Sequence, residues 1–152
     1  MDNADRDETP AERADRNWTD LLQELRVTQT GVQVLAGFLL TLPFQQRFSQ
    51  LTRWQAGQYL AAVSCAVMSV ILLIAPVSAH RWLFGHHEKT VVVVFGDRMA
   101  KVGLAMLAVT IALTVFFVFG VVAGQLAGTV AVTVVAVAFL ALWVVLPRRR
   151  LQ

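Results

Sequence analysis

Apolar residues gather in four blocks along this chain, each followed by a short polar break. A block of roughly 20 apolar residues matches a hydrocarbon core of about 30 Å at 1.5 Å rise per residue. The pattern predicts spans at about residues 27–46, 56–78, 98–122 and 125–146. Pro43 marks the exit of the first, Pro76 lies near the end of the second, and Pro147 stops the fourth. Residues 1–16 differ: they are charged, carry Pro10, and have almost no large apolar side chain. Such a segment buries too little surface to offset its ordering entropy, so it predicts a disordered tail. Asn17, with Asp20 three residues on, fits a helix start. The expected fold class is all-α: a transmembrane four-helix bundle over residues 17–152 behind a disordered tail over 1–16.

The break between the second and third blocks, HRWLFGHHEKTVVVVFGDRMAK, is harder to read. Val91 to Val94 favour a strand by propensity. A lone strand at a membrane would leave its backbone groups unpaired. As a helix, His86, Thr90, Asp97 and Lys101 share a face, with Asp97 four before Lys101 in the favourable order. The expectation is an interfacial or extended cytoplasmic helix between spans two and three, with Gly96 as its bending point.

Composition agrees with a membrane location: 57% of residues are hydrophobic and 15% charged, against roughly 25% charged in soluble domains. The net charge of +3 does not imply nucleic acid, because the basic residues flank apolar blocks. Eleven Lys/Arg fall on the side of the two termini and the 79–101 connection; only Arg47 and Arg53 fall on the other. That bias predicts a multi-pass protein of the cell membrane with both termini cytoplasmic. The acidic, polar N-terminal segment has no short apolar core, so no cleavable signal peptide is expected. Trp18, Trp54, Trp82 and Trp143 fall near the predicted interfaces.

Chemistry is sparse. No Asp or Glu lies between Glu24 and Glu88, and none follows Asp97. The spans therefore lack the acidic handle that proton- or sodium-coupled transport usually needs. The first span carries a polar stripe, Arg26, Gln29, Thr30 and Gln33, at i, i+3, i+4 and i+7. It reads either as interhelical glue or as a transport pathway. The second span carries a small-residue ladder, Gly57, Ala61, Cys65 and Ser69, which would let another helix approach closely. Cys65 reads as a packing residue. Gly120, Gly124 and Gly128 straddle the predicted third turn and read as turn geometry. His80, His86, His87 and Glu88 match no established zinc spacing, so no metal or other cofactor is expected. No nucleophile–base pair, phosphate-binding glycine loop or HExxH is present, so no enzymatic reaction is expected.

The block NWTDLLQELRVTQTGVQVLAGFLLTLPFQQRF, with HRWLF and DRMAKVGLAML, resembles a bacterial family of unknown function. The resemblance implies a protein of roughly 150 residues with four transmembrane helices. Some members bear a sodium:proton antiporter label, which the acid-free spans here argue against. The reading is a non-enzymatic accessory or scaffold protein acting through helix–helix association. Its expected partners are membrane lipid and either a second copy or another membrane protein, and no nucleic acid. The alternative is a small homo-oligomeric ion or solute transporter using the polar stripe.

Overall fold

The first helix starts one full segment earlier than its apolar block. In the computed structural model, which describes residues 9–83, 89–146 and 148, α1 runs Pro10–Thr41. Thr9 is its N-cap, Pro10 its first residue, and Glu12 closes a capping box. The Thr9 amide donates to Glu12 Oε2 at 2.8 Å, and the Glu12 amide donates to Thr9 Oγ1 at 3.3 Å. The Thr9 backbone amide, and then its hydroxyl, hold the Glu12 carboxyl below its usual range. The cap therefore stands at Thr9 rather than at the expected Asn17, and residues 10–16 are helical. Residues 1–8 lie outside the described part. The sequence Thr-Pro-Ala-Glu satisfies two orphan N–H groups and fixes one φ angle, which offsets the weak apolar content of the segment.

Two short 3-10 turns, Leu42–Phe44 and Gln46–Gln50, follow α1. Pro43 has no N–H for the carbonyl of Leu39, four residues earlier. The Tyr59 hydroxyl of the next helix donates to that carbonyl at 3.0 Å. Helix α2 spans Arg53–Leu83 and continues through Pro76. Its start is fixed by Thr52 and Gln55, which exchange backbone and side-chain bonds as a second capping pair.

Helix α3 spans Lys89–Ala123 as one element. Val91–Val94 are thus helical, and the helix expected in the connection is present from Lys89 onward. It forms the first turns of α3 rather than a separate piece. Asp97 and Lys101 pair at 2.6 Å as expected, though both are well exposed, so the pair adds little stability. Residues 84–88, including His86, His87 and Glu88, lie outside the described part. Gly124 turns the chain at φ +92°, a region an L side chain rarely enters. Helix α4 then runs Gln125–Leu140 and passes into a π turn at Ala141–Val145.

All four helices are long and apolar enough to cross a membrane. By rise alone, α1, α2 and α3 are about 46–52 Å long, well beyond a core of about 30 Å. Their excess gathers at one end, where Trp18 and Leu21 of α1 lie over Gly96 of α3. Packing is centred on α2 and α3, with α1 against both; among the described residues α4 packs on α3 alone. The buried side of α1 repeats every seven residues: Trp18, Leu25, Val32 and Leu39. A seven-residue repeat keeps one narrow seam facing its neighbours. Leu25, Val32, Leu73 and Ala100 form the central cluster, with Leu21, Val70, Leu104 and Leu107 around it.

Candidate functional site

Three glycines show how tightly the bundle is closed. A Cβ on Gly103 would lie 2.9 Å from the Leu73 side chain, and one on Gly96 would lie 2.7 Å from the Trp18 ring. A Cβ on Gly128 would lie 2.8 Å from the Phe116 carbonyl and 3.1 Å from the Gly120 nitrogen. Gly124 is the turn residue, as expected from the sequence. Gly128 instead lets the backbones of α3 and α4 meet, which corrects the reading of its spacing as turn geometry. Gly31, Gly37 and Gly57 are different: a Cβ on any of them would meet nothing within 4 Å.

The small-residue ladder on α2 does not lie on one face. Four residues advance an α-helix by about 400°, so each step drifts about 40°. Gly57 and Ala61 are exposed, Cys65 is half-buried, and Ser69 is fully buried. Ser69 Oγ donates to the Gly103 carbonyl at 2.9 Å. The face that packs follows a shorter period: Tyr59, Ala62, Ala66, Ser69 and Leu73. Only the Ser69 end of the ladder serves packing within the chain.

The polar stripe on α1 splits in the same way. Gln29 lies four after Leu25 and three before Val32, at the edge of the buried seam. Its Nε2 donates to the Leu73 carbonyl at 2.9 Å, beside the turn that Pro76 deprives of a hydrogen bond. Gln33, one turn later, is exposed and has no hydrogen-bond partner among the described residues. Arg26 and Thr30 are exposed too, and the Thr30 hydroxyl donates to the Arg26 carbonyl at 3.1 Å. Thr28 and Thr41 likewise bond to carbonyls of their own helix. Every hydroxyl on α1 past Glu24 is therefore satisfied locally, and Gln33 is the one amide of the stripe left over. If the hydrocarbon begins near Val27, Gln33 sits about 9 Å inside it. The structure brings together Gln29 and Leu73, and Ser69 and Gly103; Arg26, Thr30 and Gln33 are exposed among the described residues.

Buried polar residues that the sequence reading did not single out include Tyr59 and Gln58. Tyr59 is buried, edge-on to Phe48 and tilted against Phe117 at ring distances of 5.0 and 5.9 Å. Gln58 is 8% exposed, and its Nε2 finds no acceptor among the described residues. Its position three before Ala61 carried no warning, because the ladder drew attention to the wrong face. A buried amide donor without a partner costs about 1–3 kcal/mol. Gln58→Met should therefore stabilise the protein by about 1 kcal/mol or more in a denaturant titration in mixed micelles; a clear loss of stability would show that the amide is bonded after all.

Trp54 and Trp143 are exposed, as interfacial rings should be, whereas Trp18 is buried as a packing residue. An open hollow of about 390 Å³ lies over Asp20, Gln23, Glu24 and Val27 on the outer side of α1. Among the described residues no three His, Cys, Asp or Glu side chains come together as metal ligands. The residues that could bear on function are thus the outward face of α1 and the exposed end of the α2 ladder.

Comparison with known proteins is consistent with this narrow set of clues. No curated protein and no solved structure matches the chain. One family model does match, over residues 7–147, and it spans all four helices together with the capping segment before Trp18. That extent reaches well beyond the blocks that carried the resemblance in the sequence. The chain belongs to this family, described as a family of unknown function (DUF6328).

Proposed function

We propose that this protein is a non-enzymatic accessory or scaffold element of the cell membrane that works by helix–helix association. It crosses the bilayer four times and keeps both termini in the cytoplasm. The observation that carries the reading is Gln33: a primary amide in the first predicted span, exposed on α1 and without a hydrogen-bond partner among the described residues. Hydrocarbon offers an amide no hydrogen bond, and a neighbouring helix does. The outward face of α1 is therefore the contact surface.

A transport pathway along the polar stripe has less support. Gln29 is committed to the Leu73 carbonyl, and Gln33 faces away from it. The apolar blocks predicted as spans also carry no carboxylate, the usual handle for proton or cation coupling.

Blue-native electrophoresis of host membranes tests the reading. The wild-type chain should migrate in a complex larger than one copy, and Gln33→Leu should shift it downward with helicity and expression unchanged. A wild-type chain that runs as a lone monomer overturns the reading. Orientation is checked separately: reporters fused after Gln152 should read cytoplasmic, and the opposite signal would invert the topology.

A further inference from the structure

We infer that the wedge between α3 and the end of α4 binds one anionic phospholipid, with its phosphate on Arg98 and Arg148 and an acyl chain between the two helices. This rests on the four-span placement proposed above and on nothing concerning α1.

Helices α3 and α4 meet near the turn that joins them and part further along. Close to the turn, Gly128 lies against the Phe116 carbonyl and the Gly120 backbone. At the far end, among the described residues, the Ala141–Val145 turn comes close to no helix but α4. Burial follows the divergence on both helices. At about 100° per residue, Gly120, Phe116, Val109, Ala105, Val102 and Arg98 fall within about 60° of one another on α3. Gly120 is buried and Phe116 half-buried, whereas Val109, Ala105, Val102 and Arg98 are exposed. On α4, Gly128 is buried, Val135 and Phe139 are half-buried, and Leu142 and Trp143 are exposed. These exposed stretches continue the two packed faces, so they are the walls of one apolar wedge that opens away from Gly124.

Charge at the mouth of the wedge selects the occupant. Gly124 lies 26 residues after Arg98 and 24 before Arg148. By rise, the two arginines stand about 39 and 36 Å from the turn, at one level just past a hydrocarbon core of about 30 Å. Both are exposed, and neither has a carboxylate partner among the described residues; the nearby Lys101 is paired with Asp97 instead. A guanidinium binds phosphate through two parallel hydrogen bonds. Hydrocarbon walls under a cationic mouth complement one molecule of the same two-part chemistry, a lipid with an anionic headgroup. A zwitterionic headgroup brings a cation of its own, which the two guanidinium groups repel. A helix of another protein would have to carry an acid to the same level.

Native mass spectrometry of the full chain, in micelles carrying equal amounts of phosphatidylglycerol and phosphatidylcholine, tests the inference. The wild type should retain phosphatidylglycerol in preference. Arg98→Gln and Arg148→Gln should each weaken that retention about 5-fold, and together about 30-fold. Helicity should not change, since both side chains are exposed. The paired variant Arg98→Lys with Arg148→Lys keeps the charge and should keep most of the binding. Ala105→Trp, also at an exposed position, fills the wedge and should expel the lipid with both arginines in place. Arg53→Gln, at the other end of the bundle, should have no effect. Equal retention of the two lipids by the wild type would overturn the inference, as would a preference that survives the double Gln variant. An equal loss in Arg53→Gln, or none in Ala105→Trp, would overturn it too. Lipid is counted per chain whatever the number of chains in the particle. A lone monomer that still selects phosphatidylglycerol would therefore overturn the association reading and leave this inference standing.

Discussion

Gly128→Leu should release α4 from the rest of the bundle. The added Cβ alone would lie 2.8 Å from the Phe116 carbonyl and within 3.2 Å of the Gly120 backbone. These are main-chain atoms inside a helix, so they cannot step aside as a flexible side chain would. The two helices must separate instead. Overpacking of this kind typically costs about 1–3 kcal/mol. The consequence is larger here, because α4 packs on no other helix among the described residues. Its own surface is exposed along most of its length, from Leu126 to Leu146. The turn at Gly124 then becomes a hinge between a three-helix body and a free span. Spin labels at the exposed positions Val118 and Val130 should report a wider and broader distance distribution in the variant. An unchanged distance with wild-type stability would contradict the packing described. Gly57→Ala is the matched control: nothing lies within 4 Å of the new methyl, so stability should hold or rise by up to about 1 kcal/mol.

The second large effect is expected at Leu73. Its side chain is fully buried, belongs to the central cluster with Leu25, Val32 and Ala100, and lies against Gly103. Leu→Ala in a packed core costs about 2–5 kcal/mol in soluble proteins. In a bilayer the transfer part shrinks, since lipid tails are as apolar as leucine. The lost dispersion contacts around the cavity remain. Leu73→Ala should therefore cost about 2–3 kcal/mol in a denaturant titration in mixed micelles. Leu142→Ala, at an exposed position, should cost little. Equal costs at the two sites would mean that the bundle is not closed around Leu73.

The helices were legible in the sequence because the physics that makes them is local. A bilayer-length apolar run has few alternatives to a helix, and Gly124 lies where two such runs nearly touch. The start of α1 was also legible, since Thr9, Pro10 and Glu12 carry the capping box in plain form. It was outweighed by the charged composition of the segment, although caps act on backbone N–H groups whatever the side chains around them. The small-residue ladder divides between surface and core for a geometric reason. Residues four apart look aligned on paper but drift about 40° per step, enough to carry Gly57 to the surface and Ser69 to the core. The roles of Gly96, Gly103 and Gly128 depend on which helix lies opposite, and one chain's sequence does not record that. The same holds for Gln29 and Gln33: two amides one turn apart, one tied to the Leu73 carbonyl and one left facing outward.

The account turns on whether that outward face is covered in the membrane. The most direct measurement is native mass spectrometry of particles excised from host membranes with their lipid, so that detergent never competes for the Gln33 surface. The account predicts more than one polypeptide per particle, and a single chain per particle in the Gln33→Leu variant. Wild-type particles that hold one chain and lipid alone would contradict it.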